Sequence, residues 1–241
     1  MQNAAYDTDA LVVRLEALAD APYRAFTDSL VPDAGERTLG VRVPKLRALA
    51  KELLAGDWRA FLEASRAHPV YEVRLLHAYV LGGARCAIAE KLALADAFLP
   101  FVDNWAVCDG LCSSFKPRKG DQEALFEFVL ACAASDVEFR KRFGLVMLMS
   151  HFHDAPFAEG TMAAYRAFAH PGYYARMGAA WGLATLYLYQ REAALAILEE
   201  NLWDDFTHNK AIQKLRESYR VPDEDKPMLL ALRRKAAKAH E

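Results

Sequence analysis

The amino-acid sequence predicts an all-α protein, a degenerate helical solenoid of antiparallel helix pairs, and three observations carry that prediction. Ala (44) and Leu (31) dominate the 241 residues while Val, Ile and Thr together number 23, so helix-favouring residues abound and sheet-favouring ones are scarce. Apolar residues recur three or four apart, as in Leu11, Leu15 and Leu18, in Leu46, Leu49, Leu53 and Leu54, and in Leu75, Tyr79 and Val80. Short breaks then separate the helical intervals, at Pro32, Gly35 and Gly40, at Pro69, at Gly82 with Gly83, at Pro117 with Gly120, at Pro156, at Pro171 with Gly172, and at Pro222.

Beyond the early helices, the same periodicity places helices at roughly 87–100, 104–115, 121–134, 137–152, 158–169, 173–190, 191–201, 207–219 and 223–239. Pairs recur at very roughly 35 to 40 residues without a strict period, which is the length scale of HEAT-like repeats and favours a solenoid over a bundle. Nothing in the composition reads as a flexible linker, so residues 1–241 are expected to form a single domain.

Composition excludes several classes. With 54% hydrophobic and 26% charged residues the chain is not a disordered polar tract. Its longest apolar runs, 129–134 and 145–149, fall far short of the roughly 20 residues that span a bilayer. Residues 1–10 carry Asp7 and Asp9 and lack a basic region followed by an apolar stretch, so they do not read as a signal peptide and a cytoplasmic protein is expected. Cys86, Cys108, Cys112 and Cys132 sit in apolar helical patterns and are read as reduced core thiols. Cys108 and Cys112 have ligand-like spacing, but no second Cys or His pair accompanies them, so no metal is expected. No cofactor is implied, and the chain is read as a monomer.

Charge is unevenly distributed. Residues 207–241 hold nine Lys or Arg against five Asp or Glu, which leaves 1–206 at −6 within a net charge of −2. A basic stretch is often only a solvated face, yet it can bind phosphates despite distant acidic residues, because screening confines the interaction to about a Debye length.

Four elements carry candidate chemistry. In the segment 101–110, Trp105 and Asp109 stand at i and i+4, which puts an indole and a carboxylate on one helical face. Arg140, Lys141 and Arg142 run into the apolar stretch 143–149, so at least one cation borders a buried helix and needs an anion. A second tryptophan, Trp181, lies in a run of small residues that lets helices approach closely. Last, Lys210 and Lys214 share a face of a helix that the hydroxyl of Thr207 is placed to cap.

Together with the run Leu39-Gly-Val-Arg-Val-Pro-Lys-Leu-Arg47, the Asn104-Trp105…Asp109 element, Arg142, Trp181 and Thr207-His-Asn-Lys-Ala-Ile-Gln-Lys214 resemble the AlkD-type DNA alkylation-repair glycosylases, a HEAT-like repeat family, over nearly the whole chain. The resemblance implies a superhelix whose concave face holds duplex DNA, with the lesion left in the duplex while N3-methyladenine or N7-methylguanine is released. It implies Asp109 as the catalytic carboxylate, Trp105 and Trp181 as aromatic walls, and Arg142 as the arginine on the DNA backbone, with Lys210 and Lys214 as further phosphate contacts. Arg140 fits that role less well because it does not directly precede the apolar run.

The stretch around Pro32, Gly35 and Gly40 reads as loop. In this it resembles a shorter branch of the family that lacks a short extra N-terminal helix gripping the DNA. A non-catalytic binder of distorted or branched DNA on the same scaffold is the alternative reading, and a protein-interaction solenoid a third.

Overall fold

A computed structural model describes residues 6–31 and 37–235 of the chain. Fourteen α-helices and no strand occur among them. The chain divides into two compact units, residues 1–125 and 126–241.

The first unit holds α1 (Thr8–Glu16), α2 (Ala21–Leu30), α3 (Val43–Ala55), α4 (Trp58–Ser65), α5 (Tyr71–Gly83), α6 (Ile88–Phe98) and α7 (Trp105–Ser114). Helices α3, α5 and α7 lie side by side, α4 and α6 pack on α5, and α1 packs on α4. The second unit repeats the plan. Its helices are α8 (Gln122–Ala134, from Phe126 onward), α9 (Glu138–His151), α10 (Ala158–Arg166), α11 (Tyr173–Leu186), α12 (Arg191–Glu199), α13 (Asp205–Glu217) and α14 (Lys226–Ala231). Here α9, α11 and α13 form the layer, with α10 and α12 beside it and α14 on α13. This alternation of layer helix and covering helix is the all-α, HEAT-like arrangement that the sequence predicts.

Local chemistry sets the helix starts. Asp7, Asp20, Asp57, Asn104 and Asp204 each accept a hydrogen bond from an N–H in the first turn of the helix that follows. Pro22, Pro44 and Pro227 occupy first-turn positions, where the missing N–H costs nothing. Among the layer helices, α5 buries twelve of its thirteen residues.

The entry to α3 is fixed from inside the first unit. Gly40 has φ of +88°, and an added Cβ would stand 2.6 Å from the Arg24 Cβ, so only glycine fits. That turn aims the N–H groups of Leu39, Gly40 and Val41 at the buried Glu72 carboxylate, at 2.7 to 3.3 Å.

Three sequence expectations need correction. Helices α2 and α4 are additional to the helices that the periodicity places. Helix α2 carries Tyr23, Phe26 and Leu30 at helical spacing but is only ten residues long and leaves Phe26 and Leu30 exposed, and α4 has only eight residues. The helix expected over 223–239 is a 3₁₀ turn, Asp223–Asp225, followed by α14, which ends at Ala231. Asn209 stops it, accepting the Arg234 N–H at 2.9 Å and donating to the Arg234 carbonyl at 3.1 Å. Residues 38–40 are non-helical, as expected for the loop before α3, whereas 32–36, 1–5 and 236–241 lie outside the described residues. No helix among the described residues is long and apolar enough to cross a membrane.

Close packing gives a direct test. A Cβ on Gly144 of α9 would lie 2.3 Å from the Ala133 amide nitrogen and 2.7 Å from the Val129 carbonyl oxygen of α8, backbone atoms that cannot turn aside. Gly144→Ala is expected to destabilise the protein by at least about 2 kcal/mol, a drop of roughly 4–8 °C in Tm for a chain this long. At Gly120 an added Cβ meets nothing within 4 Å, so Gly120→Ala should leave Tm nearly unchanged. Equal thermal unfolding of the two variants would contradict the packing described.

Candidate functional site

The Trp105–Asp109 element begins at Asn104, which is fully buried. Its Oδ1 accepts the Val107 N–H at 3.0 Å and its Nδ2 donates to Asp103 Oδ1 at 3.0 Å. Asp103 Oδ2 in turn receives Arg74 Nη1 at 2.8 Å and Arg37 Nη1 at 3.0 Å. Burial alone would raise the Asp103 carboxyl, but the hydrogen bonds and charge of Arg74, with Asn104 and Arg37, hold it below the usual carboxylate range. Arg74 is itself buried and also donates to the Phe101 carbonyl at 3.0 Å. The turn before α7 is therefore pinned by one carboxylate and two guanidinium groups.

Trp105 is the first residue of α7, and its indole Nε1–H donates to the Leu30 carbonyl at the end of α2, at 3.0 Å. That bond fixes the plane of the ring. Trp105 and Asp109 are both partly exposed, while Cys108 and Cys112 point inward and are buried. The structure thus brings Trp105 and Asp109 together on one face of α7, one turn apart.

The other predicted residues lie in the second unit. Arg142 is only 6% exposed, and its Nη1 donates to the Tyr174 carbonyl of α11 at 2.8 Å. Gly178 makes room for it: a Cβ there would stand 3.3 Å from the Arg142 Cγ. Lys141 is buried beside it and donates to the Ala169 carbonyl at 2.9 Å, and burial lowers the pKa of its ammonium. At this border Lys141 and the Nη1 of Arg142 each donate to a backbone carbonyl. Trp181 shares the α11 face of Tyr174 and Gly178, at i+7 and i+3, and is 38% exposed.

On α13, Lys210 donates to Gln213 Oε1 at 3.0 Å, and Lys214, one turn on, is partly exposed. The cap of this helix needs correction. It is Asp204, which accepts the N–H groups of Phe206 and Thr207, while Thr207 is inside the helix and gives its hydroxyl proton back to Asp204. The carboxylate lies one turn earlier and is the stronger acceptor. Burial opposes ionisation of Asp204, yet the Thr207 bonds and the nearby Arg176 keep its carboxyl below the usual range.

Two features escaped sequence reasoning. A row of rings, Phe139, Tyr174, Tyr173 and Phe206, runs along the N-terminal ends of α9, α11 and α13 with centroids 5.2 to 5.9 Å apart, and Arg176 lies 4.4 Å over the last ring. Its one sequence signal is the aromatic pair Tyr173-Tyr174 at a helix start. In the first unit, Arg47 of α3 lies 3.8 Å over the Tyr79 ring and reaches the hydroxyls of Ser113 and Ser114 at the end of α7. The sequence marks Arg47 only as part of a run, because its partners are 32 or more residues away.

The family described as DNA alkylation repair enzyme matches residues 12–218 of the chain. No curated protein and no solved structure matches.

The turn that starts α7 has a pH signature. A carboxyl whose folded pKa is depressed contributes stability above its unfolded value, near 3.8, and that stability is lost as pH falls through the lower folded value. Wild type should therefore be more stable than Asp103→Asn at pH 6–7 in urea unfolding, and the gap should narrow as pH is lowered below about 4. A gap that is independent of pH would show that Asp103 does not act through its charge.

Proposed function

Because the chain belongs to the family of DNA alkylation repair enzymes, we propose that it is a DNA glycosylase that hydrolyses the N-glycosidic bond of cationic alkylated purines, N3-methyladenine and N7-methylguanine. One observation carries the reading: the partly exposed carboxylate of Asp109 stands one turn from an indole whose plane is fixed, on a helix whose start is pinned.

The chemistry asks little of a general acid. A base alkylated on a ring nitrogen is already positive and leaves readily, so the demanding species is the oxocarbenium-like sugar that remains. Asp109 stabilises that charge electrostatically and orients the attacking water. Trp105 and Trp181 present indole faces, each worth about 0.5–2 kcal/mol to a cationic base or sugar. This selects charged lesions over neutral bases without reading base edges. Arg142, set by the Tyr174 carbonyl, and Lys210 and Lys214 on α13 are the proposed phosphate contacts. In this reading residues 1–241 work as one functional domain on double-stranded DNA, as a monomer, in the cytoplasm and with no cofactor.

The test is release of free base from DNA carrying N7-methylguanine or N3-methyladenine. Wild type should exceed the spontaneous rate, and Asp109→Asn should lose about 100-fold or more of that activity while still binding DNA. DNA binding without release by wild type would overturn the glycosylase and leave the non-catalytic DNA binder.

A further inference from the structure

Arg47 is held in an unusual way for a partly exposed arginine. Its Nη1 donates to Ser114 Oγ at 2.8 Å and its Nη2 to Ser113 Oγ at 3.1 Å. Both hydroxyls give their own protons to the Gly110 carbonyl, at 2.8 and 3.1 Å, so their lone pairs are turned toward the guanidinium. The Tyr79 ring supports one face of the guanidinium at 3.8 Å. Every one of these partners is neutral, and no carboxylate pairs with Arg47 among the described residues, in contrast to Arg14, Arg37, Arg42, Arg59 and Arg74. The result is a cation with fixed orientation and uncompensated charge, leaving its Nε–H, its second Nη protons and its other face for a ligand.

Its position gives that charge a use. Trp105, Asp109 and Ser113 stand at i, i+4 and i+8, a single stripe of α7. The Arg47 guanidinium is thus anchored one turn, about 6 Å along the axis, beyond Asp109. A DNA strand whose sugar faces Asp109 brings its own phosphates toward that carboxylate, and like charges repel. A cation fixed beside that carboxylate offsets the repulsion. The fork of an arginine also matches phosphate oxygens better than an ammonium does.

We propose that Arg47 is a DNA-backbone contact of the first unit, binding the phosphate next to the nucleotide that faces Asp109. The assignment rests on the glycosylase reading for the orientation of the strand. As a phosphate contact made equally in the ground and transition states, Arg47 acts on binding and leaves the chemical step to Asp109.

The experiment measures duplex binding between 50 and 200 mM salt, and base-release kinetics, for wild type, Arg47→Gln and Arg47→Lys, with Tm recorded for each. Arg47→Gln is expected to reduce the magnitude of the log–log salt slope by about 0.9, one phosphate contact, and to raise KM several-fold with little change in kcat. Arg47→Lys should keep the slope and lose several-fold in affinity, and it stands as the test should Arg47→Gln not fold. A lower Tm with unchanged slope and unchanged KM would make Arg47 a structural tie between α3 and α7 and overturn the proposal. So would Arg47→Lys with wild-type affinity. Failure of the glycosylase reading is separable from these outcomes: wild type would then release no base whatever Arg47→Gln does to the salt slope.

Discussion

The face that carries Trp105 and Asp109 depends on where α7 begins. Successive residues of a helix are about 100° apart, so starting it one residue earlier or later would turn both side chains away from where they stand. The start is set by Asn104, and Asn104 is set by Asp103, whose carboxylate is shared between Arg37 and Arg74. Arg74 comes from α5 and also holds the Phe101 carbonyl, so the turn is fastened to the neighbouring layer helix. The exposed pair that could do chemistry is therefore placed by a pinned turn that does none.

A second principle recurs in both units: charged side chains inside the layers end on backbone groups. Glu72 collects three consecutive N–H groups ahead of α3, and Glu138 Oε1 accepts the N–H groups of Tyr174 and Ala175 at the start of α11. Lys91 donates to the carbonyls of Gly82 and Ala84 at the end of α5, as Lys141 does to that of Ala169. Glu138 thus meets the N-terminus of α11 and Lys91 the C-terminus of α5, the pairing that the helix dipole favours. Arg47 departs from this pattern. Its partners are hydroxyls and a ring, and among the described residues no carboxylate pairs with it.

Much of the fold was legible because it rests on local signals. The apolar periodicity that locates α5, α9 and α11 reflects helices buried over most of their length. Helix α2 was legible too: Asp20 followed by Pro22 is a start signal, and Tyr23, Phe26 and Leu30 stand at helical spacing within its ten residues. The end of α14 could not be read, since it is decided by Asn209, 25 residues from Arg234. In the candidate site, the i, i+4 spacing of Trp105 and Asp109 needed only a helix to place them together. The placement of Arg142 was half legible: the border of the apolar run marks it, but its acceptor at Tyr174 is 32 residues away. Thr207 misled because a hydroxyl near a helix start is a good cap in general, while here Asp204 lies one turn earlier.

The central claim is that Asp109 stabilises a positive sugar by its charge, and it can be measured without catalysis. A duplex carrying a cationic azasugar at the lesion position imitates the oxocarbenium ion, and one carrying a neutral tetrahydrofuran abasic site imitates only its shape. The account predicts that wild type binds the cationic duplex about 100-fold or more tightly than the neutral one, and that Asp109→Asn loses most of that preference while binding the neutral duplex as before. Equal preference for the cationic duplex in wild type and Asp109→Asn would contradict it.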